Sequence, residues 1–234
     1  MKRAADPKKA AFFPTFFKTG PGGYAQGDVF LGVTVPEQRR IARRHRELPL
    51  DALATLVHSP VHEHRFTGFV ILVDQYERGD ASERERLFAF CREHLAGLNN
   101  WDLVDTVAPR LLGVHLLAHP ELRPLLQDFA NSAVLWERRI AILSTFAFIR
   151  AGDFTPTLEL ARRLLEDPHD LMHKAVGWML REVGNRDLAR EEAFLEEHAA
   201  VMPRTMLRYA IEKFPPARRE HYLSRRSARK GQTP

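Results

Sequence analysis

Amphipathic helix pairs recur along this chain at an almost constant interval. Apolar residues fall at three- and four-residue spacing in HRFTGFVILVDQYERG, WDLVDTVAPRLLGVHLL, LWERRIAILSTFAFIRAG and LMHKAVGWMLREVGN. Shorter amphipathic stretches lie between them: DALATLVHS, ERERLFAFCREHLAG, ELRPLLQDFANS, TLELARRLLED and REEAFLEEHAAV. Breaks fall at Pro60, Gly79, Gly97, Pro120, Gly152, Pro168, Gly184 and Pro203, where helices stop and start. The longer helices open near Arg65, Trp101, Arg139 and Lys174, at intervals of 36, 38 and 35 residues. A weaker copy, PRTMLRYAIEKF, places Arg208 another 34 residues on. One helix pair cannot bury its apolar face alone, so such pairs stack into a curved solenoid. The expected fold is all-α, a helix-pair repeat superhelix whose concave face is lined by the openings of the long helices. No strand pattern interrupts it.

Residues 1–223 are expected to form one domain, and 224–234 a basic, disordered tail. No apolar run reaches the roughly 18–20 residues that span a bilayer, and the N-terminus lacks a secretory pattern. The single cysteine, Cys91, allows no internal disulfide and is read as a small buried residue. These features point to the cytoplasm, in association with the nucleoid if DNA is the partner. The formal net charge is +5. Basic residues cluster at Arg39, Arg40, Arg43, Arg44 and Arg46, and again from Arg218 to Lys230. Such clusters attract polyanions, nucleic acid above all; the plainer alternative is a solvated helix face and a basic tail.

The N-terminal part differs. Its glycine-rich segment GPGGYAQGD lacks the ending of a P-loop and any flanking strand. It reads as a flexible turn, with contact to a DNA backbone as the sharper alternative.

Trp101 and Asp105 are four residues apart in NNWDLVDTVAP, so they share a helix face. Asn99 or Asn100 caps that helix. Asp102, near the positive helix end, is explained by the dipole. Asp105 interrupts the apolar face between Val104 and Val107, either to pair with an arginine or to serve chemistry. Trp178 lies four residues after Lys174, and Arg139 falls on the inner stripe of its helix with Arg138 outside. A core role suits Trp178 equally. A carboxylate beside indoles and cations suits glycosidic hydrolysis, because a fixed negative charge stabilises the oxocarbenium-like state. No HExxH, paired ligand spacing or GxSxG elbow appears, so neither a metal nor a cofactor is expected. His58, His62 and His64, around Pro60, read as surface caps.

In this order and spacing, FLGVTVPEQRR, NWDLVDTVAP, WERRIAIL and KAVGWMLRE resemble the AlkD-like DNA alkylation-repair glycosylases, which are built from HEAT-like repeats. The resemblance runs from about Phe16 to Phe214. It implies excision of cationic alkylated purines, 3-methyladenine and 7-methylguanine, from duplex DNA by a monofunctional, cofactor-free glycosylase. It implies that Trp101 packs on the lesion's deoxyribose, that Asp105 stabilises the sugar cation and positions water, and that Trp178 is the second tryptophan of the cleft. Arg139 would contact the backbone. Phe16 stands where some members carry tyrosine. With Lys174, Arg65, Arg39, Arg43 and Arg208, these residues are the expected DNA contacts of a monomer. Two other readings compete: a non-catalytic relative that binds branched or distorted DNA, and a protein-binding solenoid.

Overall fold

The computed structural model describes residues 1–225. The tail expected over 224–234 lies, from residue 226 onward, outside the described residues. Apart from one isolated bridge between Val29 and Val61, the regular structure described is entirely helical. The chain divides into two compact units, one from Met1 to His115 and one beginning at Leu116.

The first unit holds α1 (Pro7–Phe16), α2 (Val35–Arg44), α3 (Leu50–Val57), α4 (His62–Arg78), α5 (Ala81–Glu93) and α6 (Trp101–Val107). Helix α4 is its centre and packs on α2, α3, α5 and α6. The reason is its sequence: Phe66, Phe69, Ile71, Leu72, Val73 and Tyr76 bury apolar groups around most of its circumference. Asp80 and Glu83 form a capping box at the start of α5. Cys91 of α5 is fully buried, and burial pushes its thiol up to about 12. After α6 the helix widens into a π-helical turn, Ala108–Leu112, and then continues as α7 (Gly113–Ala118). Pro109 explains the widening. It has no N–H to donate to the Asp105 carbonyl, so the regular α ladder cannot continue one turn after Asp105.

The second unit contains α8 (Leu125–Ala130), α9 (Leu135–Arg150), α10 (Thr155–Arg163), α11 (Asp170–Gly184), α12 (Leu188–His198), α13 (Arg204–Ala210) and α14 (Pro216–Ser224). Helix α9 packs on α8, α10 and α11, and α11 packs on α12 and α13. A Cβ at Gly177 would lie 2.4 Å from the Met206 carbonyl oxygen, so glycine permits the close approach of α11 to α13.

The second helices of the successive pairs, α4, α6, α9, α11 and α13, open at residues 62, 101, 135, 170 and 204. This is the expected all-α helix-pair repeat. No helix of the described residues is long and apolar enough to cross a membrane.

Candidate functional site

The site is built where the segment after the glycine-rich loop is stitched along the first turn of α4. The Val29 amide donates to the Pro60 carbonyl at 3.2 Å, and the His62 amide donates to the Val29 carbonyl at 2.9 Å. Beside this bridge the buried Glu63 carboxylate accepts the amides of Leu31, Gly32 and Val33, at 2.8 to 3.2 Å. Three consecutive N–H groups around one carboxylate satisfy a charge that would otherwise be costly to bury. Gly32 has φ +79°, and a Cβ there would meet the Asp6 carbonyl oxygen at 2.1 Å. Only glycine fits this turn. It brings the start of α1, which Asp6 caps by accepting the Lys8 and Lys9 amides, against the segment that Glu63 holds.

The same turn of α4 carries a charged quartet. His62 faces Asp28 through Nδ1 at 3.2 Å and Asp102 through Nε2 at 2.8 Å. Arg65 donates to Asp28 at 2.6 Å and to the Ser59 carbonyl at 2.8 Å. Burial alone would lower the His62 pKa; its hydrogen bonds to Asp102 and Asp28 outweigh this and raise it to about 9. Burial would likewise raise Asp28, but His62 and Arg65 hold its carboxyl below the usual range. Two cations and two carboxylates balance, which is the condition for burying them together.

Over this quartet lies an aromatic wall. Phe17 and Phe30 stack at 5.1 Å, and both lie against the His62 ring, at 4.7 and 5.0 Å. Phe16 meets the Trp101 ring edge-on at 6.0 Å. The wall borders a cavity of about 480 Å³. Trp101, Asp102, Asp105 and Thr106 of α6 line it on one side, and Gln38 and Arg39 of α2 on another. Asn100 is the N-cap of α6 and accepts the Trp101 amide at 2.8 Å. Trp101 and Asp105 share the cavity-lining face as their spacing requires, and both are half-buried. A flat apolar surface ending in a carboxylate can hold a sugar or base and face positive charge developing on it.

Phe16, Arg39, Trp101 and Asp105 therefore line one cavity of the first unit, while Arg43 is exposed on α2. Arg65 departs from its expected DNA contact. Its guanidinium is buried and engaged by Asp28 and Ser59, so it holds the site together from inside. Among the second unit's candidates, Arg139 is buried and donates to the Leu171 carbonyl at 2.6 Å, so a backbone contact by its side chain would require exposure. Arg138 does not stand in solvent either: it is mostly covered and pairs with Asp167 at 2.7 Å. Lys174 pairs with Asp170 at 2.7 Å. Trp178 is half-buried, lies 6.4 Å from Phe146 and donates to Glu182. Arg208 is exposed.

Sequence reasoning missed the quartet and Glu63. Asp102 does more than face the helix dipole, and His62 is no surface cap, whereas His58 is exposed and ends α3. The glycine-rich loop is no free turn at its end, since the Asp28 side chain is 5% exposed and Ala25 is buried. The available signal was the position of His62 and Glu63 in the first turn of a long helix.

The sequence profile of the family described as DNA alkylation repair enzyme matches residues 1–214. No curated protein matches the chain. A solved structure described as a predicted DNA alkylation repair enzyme from Enterococcus faecalis is similar, with a TM-score of 0.69 and 17% identity. The match covers 91% of this chain and 97% of that one; at this identity it shows the fold.

Proposed function

We propose that this chain, which belongs to the DNA alkylation repair enzyme family, hydrolyses the N-glycosidic bond of cationic alkylated purines in duplex DNA, 3-methyladenine and 7-methylguanine among them. One observation carries the reading: Trp101 and Asp105 line the same cavity, at the edge of the aromatic wall.

The chemistry needs little else. An alkylated purine already carries positive charge, so it leaves as a neutral base without a general acid. Positive charge then develops on the deoxyribose, as in other glycosidic cleavages. Trp101 packs on the sugar, and the Asp105 carboxylate stabilises that charge and orients the attacking water. Such fixed groups accelerate the step because they bind the transition state more tightly than the ground state. Arg39, Lys174 and the exposed Arg43 and Arg208 are assigned to phosphates, and Trp178 to the sugar-packing role of a second tryptophan. Phosphate contacts by these cations release counterions, so affinity would fall steeply with ionic strength.

Purified protein should release 7-methylguanine and 3-methyladenine from methylated duplex DNA without added metal or cofactor. Asp105→Asn should slow release roughly 100- to 1,000-fold with DNA binding retained. Wild-type protein that binds DNA yet frees no base from several alkylated duplexes would reject the enzyme and leave the non-catalytic DNA-binding reading.

A further inference from the structure

His62 ties together three parts of the site. It stands in the first turn of α4, faces Asp28 at the end of the glycine-rich loop, and faces Asp102 in the first turn of α6. Its charge follows from this geometry. An ionised carboxylate only accepts hydrogen bonds, so a ring with a carboxylate at each nitrogen donates from both and is an imidazolium. The ring is 2% exposed and lies against Phe17 and Phe30, whose faces suit a cation. Asp102 is adjacent in sequence to Trp101 and three residues before Asp105. The position of this turn therefore sets both groups assigned to the chemistry.

We propose that His62 is a positioning residue for base release: by donating to Asp28 and Asp102 it locks the first turn of α6 to the loop and holds Trp101 and Asp105 against the aromatic wall. This rests on the glycosylase reading. Misplacement of reacting groups by about 1 Å can cost on the order of 100-fold in rate, so a lock of this kind matters even without touching substrate. The lock is also titratable. The charged groups around it are Arg65 on its own helix, Asp28 from the loop and Asp102 from α6, with Arg39 of α2 and Asp105 on the same cavity; Glu63 is turned to the loop amides. His62 is raised to about 9, above its ordinary 6.5, so the lock is complete below 6.5 and is lost as pH rises through about 9.

The test labels the protein with 5-fluorotryptophan and assigns the Trp101 resonance with Trp101→Phe. In wild-type protein that resonance should titrate near pH 9, and in His62→Gln it should be shifted and insensitive to pH there. Single-turnover base release by His62→Gln should fall about 10- to 100-fold, with the dissociation constant for methylated duplex unchanged within about twofold. A folded His62→Gln protein with the wild-type rate and Trp101 resonance overturns the proposal. If that variant does not fold, Asp28→Asn and the wild-type titration decide: an unmoved Trp101 resonance in both overturns it. If wild-type protein frees no base, the glycosylase reading fails, while the Trp101 resonance still decides whether His62 sets the position of Trp101.

Discussion

Phe17 lies nearly parallel to Trp101, with ring centroids 5.7 Å apart and planes 22° apart. Because Phe17 also stacks on Phe30, a continuous run of rings reaches from the segment held by Glu63 to the indole at the cavity. The orientation of the tryptophan is thus set by residues more than seventy positions away in the chain.

Phe17→Ala removes the middle ring of this run. It should cost about 3 kcal/mol in denaturant unfolding, in line with deletion of a buried phenylalanine. Phe17→Leu, which keeps most of the volume, should cost less. Equal midpoints for Phe17→Ala and wild type would show that the stack carries no stability.

Gly32→Ala combines a left-handed backbone with a Cβ 2.1 Å from a main-chain oxygen of Asp6. That oxygen cannot swing away as a side chain could. We expect a loss of about 2 kcal/mol or more and reduced base release, because the start of α1 must move and Phe16 and Phe17 follow it. A variant as stable and as active as wild type would exclude this coupling.

Glu63→Gln keeps the shape of the side chain but replaces one charged acceptor with a donor. The amides of Leu31, Gly32 and Val33 should lose protection in hydrogen exchange, and global stability should fall by about 1–3 kcal/mol. Unchanged exchange at these three amides would mean that the bridge between Val29 and Val61 suffices to hold the segment.

The helix pairs were legible in the sequence because their apolar spacing is local, and Trp101 and Asp105 because four residues make one turn. The quartet was not. Asp28 and Asp102 lie 34 and 40 residues from His62, on opposite sides of it in the chain, and no spacing rule joins them. Arg65 illustrates the same limit. A lone arginine at a helix opening has the same appearance whether it meets a phosphate or a buried aspartate. Its partner decides, and its partner lies 37 residues away.

Glu191 of α12 provides a pH test in the second unit. It is 1% exposed, and burial, with the neighbouring Glu192, raises its carboxyl to about 8 despite Arg181. Since the folded value lies above the unfolded one, the native state binds the extra proton between about 4.5 and 8, and stability falls as pH rises through that window. Glu191→Gln should therefore stabilise the protein at pH 7 and above by on the order of 3 kcal/mol. The gain should vanish below the unfolded value. Melting temperatures of the two proteins that run parallel from pH 4 to 9 would contradict this.

The glycine-rich loop is fastened at its far end by Asp28 and Val29, yet Cβ atoms added at Gly20, Gly22 and Gly27 would meet nothing within 4 Å. A Cβ at Gly23 would instead lie 1.9 Å from the Lys18 carbonyl oxygen, and Ala25 is buried, so the open tip is confined to the turn about Gly20 and Gly22. Lengthening a loop whose ends are already fixed costs only about 0.6 kcal/mol per doubling. Descendants of this chain could lengthen or rebuild the tip, and so alter what it touches, while the quartet beneath stays unchanged. For the protein engineer, this is the place to graft a reporter or a targeting peptide.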